Sequence, residues 1–225
     1  MMDRVESGIP GLDEMIEGGF IVPSAVLIAG APGTGKTTLA VQSLFYGAKR
    51  GETCMFITAI SEPNWVVQRF LSTFSFFDQS LIDLGRVVFV DVGETLRDNP
   101  EGVLQTIQSE VDRYSPNRLV IDPVSVMRIA IHDDRRYREF LHDMITYMKA
   151  FNCVTFLTAE FDFSSITTAM EGYMVDCILL LSYPKEENAR RKYMEVLKMR
   201  GTKHLTGEQS VDIDKSGFIV QPGLR

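Results

Sequence analysis

"AVLIAGAPGTGKTT", residues 25 to 38, is the stretch from which the rest of the chain can be read. Its first six residues are apolar or glycine, the composition of a short strand buried on both faces. The chain then runs Gly30, Ala31, Pro32, Gly33, Thr34, Gly35, Lys36, Thr37, Thr38, which satisfies G-x-x-x-x-G-K-[ST] at Gly30, Gly35, Lys36 and Thr37. Glycines let the backbone turn its N–H groups onto a phosphate, and the helix opening here adds the partial positive charge of its N-terminus. In such a loop the lysine reaches the β- and γ-phosphates and the threonine hydroxyl ligates magnesium. Residues 30–38 are therefore expected to hold a nucleoside triphosphate with Mg2+.

A loop of this kind needs a carboxylate at the end of a second buried strand. "RLVIDP" supplies it: Leu119-Val120-Ile121, then Asp122, placed to hold magnesium together with Thr37. Around these two segments apolar runs alternate with helical patterns. "CMFITA", "RVVFVDV", "CVTFLTA" and "CILLLSY" read as further strands, and "KTTLAVQSLFYGAKRG", "PNWVVQRFLSTF", "NPEGVLQTIQSEVDRYS" and "DDRRYREFLHDMITYMKAF" as helices. This alternation implies an α/β fold, a mostly parallel sheet covered on both faces. From residue 193 the pattern changes, and Lys215-Ser216-Gly217 resembles a hairpin turn, so an antiparallel edge is expected at the C-terminal end. Phe70, Phe74 and Phe77 have helical spacing and are expected in a helix core. With no repeat, linker or low-complexity segment, residues 1–225 read as one domain.

The bulk numbers narrow the partners. A net charge of -7 disfavours a general nucleic-acid binder, which needs a basic face to displace counterions from phosphates. Arg190, Arg191 and Lys192 form a local basic cluster, read as a solvated loop or a subunit contact. Cys54, Cys153 and Cys177 lie too far apart for a metal motif and read as buried thiols of a reducing compartment. No run of about 18 apolar residues occurs, so no membrane insertion is expected and the location reads as cytoplasmic.

Three further pieces carry a family resemblance. "SGIPGLDEMIEGGF" (7–20) resembles the segment that precedes the phosphate loop in the KaiC-like branch of the RecA-type ATPases, where "TGIPGLDEILGGG" is typical; "FLTAE" (156–160) and "VLKMRGTKH" (196–204) resemble two later pieces of the same branch. The resemblance implies a RecA-like P-loop NTPase core and a ring, usually a hexamer, with ATP between subunits. It also implies roles. Lys198 and Arg200 match the K-x-R-G lysine and arginine that reach the neighbour's γ-phosphate, His204 matches a histidine often found nearby, and Glu160 is placed to sense the γ-phosphate. A positive charge on the γ-phosphate oxygens assists phosphoryl transfer, and supplying it from a neighbour ties hydrolysis to assembly. The clock branch is also known for autokinase activity. Here the phosphoacceptor pair falls near Glu171-Gly172, which have no hydroxyl, with Ser164, Ser165, Thr167 and Thr168 upstream.

The same comparison exposes a departure. Many members carry two adjacent glutamates in the pattern T-x-E-E-x-P, one of which polarises the attacking water. Aligned on Thr58 and Pro63, those places hold Ile60 and Ser61, and Glu62 falls one residue later. Either the turn is reshaped and Glu62 is the base, or Glu62 is only a helix N-terminal acid and turnover is slow or absent. The chain thus reads as a magnesium-dependent ATPase ring that regulates or drives an unidentified protein partner, or as a nucleotide-gated scaffold with little hydrolysis. A third reading, a RecA- or RadA-like DNA recombinase, is disfavoured by the acidic balance.

Overall fold

The computed structural model describes residues 3–59 and 64–223. Nine strands form one sheet: β1 (Ser24–Gly30), β2 (Cys54–Thr58), β3 (Val87–Asp91), β4 (Arg118–Asp122), β5 (Val154–Ala159), β6 (Cys177–Ser182), β7 (Lys192–Met199), β8 (Gln209–Asp214) and β9 (Gly217–Gln221). Their spatial order is β9-β8-β7-β6-β1-β5-β4-β2-β3. The strands from β6 to β3 run parallel, and β7, β8 and β9 continue the sheet antiparallel from β6. The expected α/β architecture with an antiparallel edge is therefore what forms. Lys215 and Ser216 make the β8–β9 turn, where the Asp214 carboxylate accepts the Ser216 N–H at 2.6 Å.

The centre of the sheet is buried because its strands are apolar on both faces. β1, β2 and β5 are buried at every position. The period-two alternation of a strand sends Val26 and Ile28 to one face and Ala25, Leu27 and Ala29 to the other. On the first face lies α1 (Lys36–Lys49), through Leu39, Val41, Leu44 and Phe45. On the second lie α3 (Val103–Tyr114), α4 (Ser125–Ile131) and α5 (Asp134–Ala150), through Ile107, Val111, Met127, Leu141 and Met144. Asp133 caps α5, its carboxylate accepting the Arg136 N–H at 2.8 Å.

One helix is shorter than its pattern suggested. α2 spans Asn64–Leu71, and the chain leaves it in tight turns: Phe74 N–H donates to Leu71 C=O at 3.0 Å and Phe77 N–H to Phe74 C=O at 3.2 Å. The aromatic run is consequently split. Phe70 is 66% exposed, whereas Phe76 is buried and packs with Phe77 on Phe45 of α1, at ring-centroid distances of 6.0 and 5.1 Å. The helical-core reading of Phe70, Phe74 and Phe77 is thus corrected. Periodicity alone could not register that the helix stops before Phe74, which lets Phe76 turn in although its spacing from Phe70 and Phe74 is not helical.

Candidate nucleotide site

The loop expected to hold phosphate lies where β1 ends and α1 begins. Open α/β sheets bind ligands there, beyond the carboxyl ends of the strands. Two of its glycines are required by close approach. A Cβ on Gly30 would lie 2.6 Å from the Leu181 carbonyl oxygen of neighbouring β6. Gly35, at φ 107°, is left-handed, and a Cβ there would meet Ile213 at 2.4 Å. The backbone of residues 30–35 is therefore wedged between β6 and the β8–β9 hairpin, and no side chain can replace either glycine without moving it. Thr34 closes the loop internally, its hydroxyl donating to Ala31 C=O at 2.8 Å.

Lys36 is buried at the start of α1, and its ammonium donates to the carbonyls of Gly30 at 2.8 Å and Ala31 at 3.1 Å. Burial pushes its pKa down, while the carboxylates of Glu160 and Asp122 oppose that shift by favouring the charged form. Thr37, next in line, donates its hydroxyl to Asp122 Oδ2 at 2.6 Å. The other oxygen of Asp122 accepts a hydrogen bond from the Thr158 hydroxyl on β5. The carboxylate is thus oriented from both sides, by the loop and by the adjacent strand. A cleft of about 400 Å3 runs along these groups, lined by Lys36, Thr37, Thr38, Asp122 and Glu160, with Val67, Phe70 and Phe74 as an apolar wall. Two roomier clefts, of about 580 and 610 Å3, border α4 and contain none of the phosphate-loop residues. The smaller cleft, which contains Lys36, Thr37 and Asp122, is the candidate site.

The donor set suits magnesium. One hydroxyl and one carboxylate, both oxygen, stand close enough to share a small hard cation, and among the described residues no cluster of three or more His, Cys, Asp or Glu side chains could hold a metal on its own. Mg2+ is commonly bound this way, by one or two protein oxygens with waters and substrate phosphates completing the shell.

Lys198 and Arg200 are elsewhere. β7 runs antiparallel to β6, so its end lies at the opposite end of the sheet: Met199 pairs with Cys177, which is level with Val26, whereas Gly30 is level with Leu181. Arg200 N–H donates to Asp176 C=O, and Asp176 N–H to Ala25 C=O. From Ala25 to Gly30 is about 17 Å at about 3.3 Å per residue. Within one chain, therefore, the structure does not bring these cations to the loop. Lys198 donates to the carbonyls of Gly172 and Val175 at 2.9 and 2.7 Å, and burial, with Arg200 adding to it, lowers its pKa. His204 has its Nδ1 3.4 Å from the Leu205 carbonyl. Glu62, with Ile60 and Ser61, lies outside the described residues.

One contact escaped the reading of the sequence. Lys192, read as part of a solvated loop or a subunit contact, starts β7 beside the loop, where its ammonium donates to the Gly33 carbonyl and stands 4.3 Å from the Tyr183 ring centroid. Its neighbours do face outward: Arg190 binds the Tyr183 carbonyl and Arg191 pairs with Glu186. Only the antiparallel return of β7, invisible in local composition, separates Lys192 from them.

Known proteins match along the whole length. The model of the KaiC ATPase family covers residues 5–225. Circadian clock protein KaiC3 of Synechocystis sp. is 28% identical over 98% of this chain and 46% of its own length. Circadian clock oscillator protein KaiC of Rippkaea orientalis is 30% identical over 99% of this chain and 43% of its own length. The chain thus spans less than half of these curated relatives. A solved KaiC-like protein from the hyperthermophilic archaeon Pyrococcus horikoshii OT3 superposes with a TM-score of 0.86 at 29% identity, covering 99% of this chain and 100% of that one. With the loop, its paired aspartate and these matches together, the chain belongs to the KaiC family of ATPases.

Proposed function

We propose that this chain binds magnesium–ATP at residues 30–38 and hydrolyses it in a ring of copies, usually a hexamer in this family, with nucleotide at the subunit interfaces. The observation that carries the reading is the 2.6 Å contact of Thr37 with Asp122, beside a lysine buried in the same glycine loop. Thr37 and Asp122 would hold Mg2+, which neutralises charge on the β- and γ-phosphate oxygens when bound. The loop N–H groups and Lys36 would bind and orient the phosphates, and Glu160, which lines the same cleft, would sense the γ-phosphate. Lys198 and Arg200, too far from their own loop, would serve a neighbour's. Glu62 is the candidate base. It would take a proton from the attacking water as the water oxygen bonds to the γ-phosphorus and the bridging oxygen leaves with ADP. The free, buried cysteines and the absence, among the described residues, of a helix long and apolar enough to cross a membrane suit a cytoplasmic protein.

Ile60 and Ser61, standing where relatives carry paired glutamates, favour a second reading: a nucleotide-gated scaffold in which ATP builds the assembly and an unidentified protein partner reads it. Magnesium-dependent hydrolysis by wild type beside Glu62→Gln, with assembly followed by light scattering, separates the two. Turnover in wild type that drops about a hundredfold in Glu62→Gln supports the ATPase. Assembly on ATP with no turnover above the variant supports the scaffold.

A further inference from the structure

The short segment before β6 forms a bracket around both distant cations. Lys198 is held by the carbonyls of Gly172 and Val175, and Arg200 Nη2 approaches the Tyr173 carbonyl at 3.5 Å. Asp176 is the centre of this bracket. Its Oδ1 accepts Arg200 Nη1 at 3.2 Å; its Oδ2 accepts Lys149 Nζ at 2.6 Å and the Ala25 N–H at 2.9 Å. The bracket is fastened at its other end by Glu171, fully buried, which accepts the Tyr137 hydroxyl of α5 at 2.9 Å.

We infer that Asp176 is a positioning residue for Arg200: it fixes the guanidinium in the direction from which a neighbouring copy's γ-phosphate would meet it. The inference rests on the trans role proposed above. Two features argue for positioning over stability. The Arg200 side chain is 58% exposed, and an ion pair in that setting contributes little to folding. Asp176 is only 17% exposed and tied to β1 and α5, so it is a fixed point against which a long, mobile side chain can be oriented. Orientation set beforehand spares rotamer entropy when the phosphate arrives. Lys149 has a part as well. With two cations on one carboxylate, Lys149, Arg200 and Asp176 together keep one net positive charge, so orienting the arginine does not cancel the charge it would deliver. Burial raises the Asp176 carboxyl, but the Lys149 hydrogen bond, the Ala25 N–H and the charges of Lys149 and Arg200 outweigh it and hold the group below its usual range.

The test is a double-mutant cycle on single-turnover ATP hydrolysis, with Asp176→Asn, Arg200→Ala and the double variant, and Asp176→Glu as the conservative change. Fluorescent-nucleotide affinity reports folding, because the phosphate loop lies at the other end of the sheet. The expected result is a rate lower by about ten- to a hundredfold in Asp176→Asn at unchanged nucleotide affinity. Part of that rate should return in Asp176→Glu, and Asp176→Asn should cost nothing further once Arg200 is gone. Equal losses in both backgrounds, lost nucleotide affinity, or a wild-type rate in Asp176→Asn would overturn the positioning role while leaving the trans arginine standing. A wild-type rate in Arg200→Ala itself would overturn the trans reading, and Asp176's role with it.

Discussion

At the phosphate-loop end of the sheet, functional side chains are locked by one another: Thr37 on Asp122, Asp122 on Thr158, Lys36 on the carbonyls of its own loop. At the opposite end, Lys198 is held by main-chain carbonyls and Arg200 by the Asp176 carboxylate that it shares with Lys149, with the guanidinium largely in water. At the first end these side chains converge on a loop whose Gly30 and Gly35 leave no room for a side chain. At the second is a pair of cations that their own chain holds on carbonyls and a carboxylate, far from its own phosphate loop. Under the proposed function, this difference would leave one chain with two half-sites belonging to different nucleotides.

Breaking the Arg200 end should have the largest effect. Arg200→Ala is expected to lower turnover about a thousandfold, as loss of a charge on the γ-phosphate does elsewhere, while nucleotide still binds the loop. A hydrolysis assay beside a nucleotide-binding isotherm checks both halves of that statement. Breaking the locked end should look different. Lys36→Ala should lose about a hundredfold or more in rate and weaken ATP binding as well, so the two ends separate by whether affinity falls with turnover. Asp122→Asn keeps the size of the side chain and one accepting oxygen, turns the other oxygen into an NH2 donor, and gives up the charge. It should raise the magnesium concentration needed for half-maximal nucleotide binding, and a titration at fixed ATP reads that shift. The smallest effect on chemistry should come from the apolar support beneath the loop helix. Phe76→Ala should cost about 3–5 kcal/mol of stability by denaturant unfolding. Phe70→Ala, at an exposed position, should stay within about 0.5 kcal/mol. Equal costs would mean that the two aromatics share one environment, against their burial.

Much of the locked end could be read from the chain. β1, β4 and the glycine loop announce themselves because a strand buried on both faces must be apolar and a phosphate cradle must be glycine-rich; Asp122 follows from its place at the end of such a strand. The C-terminal hairpin was legible too, from its turn residues. The relation between the ends was not. It depends on β7 running antiparallel to β6, which brings Lys192 to Gly33 at its start and carries Arg200 away to Ala25 at its end. That register is a property of strand pairing across the sheet, and neighbouring residues in the sequence do not encode it. The bracket around Asp176 escaped for a related reason, since its partners Ala25, Lys149 and Arg200 come from three separate elements. Phe70 was misread because helical spacing says nothing about where a helix stops.

The claim that one chain holds two unlike half-sites is tested most directly by mixing. Lys36→Ala and Arg200→Ala subunits are each expected to hydrolyse ATP poorly alone. Co-assembled, an intact phosphate loop from the second can meet an intact Arg200 from the first, so the mixture is predicted to regain a substantial part of wild-type turnover, highest near equal proportions. If co-assembly is verified by light scattering and turnover stays at the level of the separate variants at every ratio, both halves act within one chain and the account is wrong.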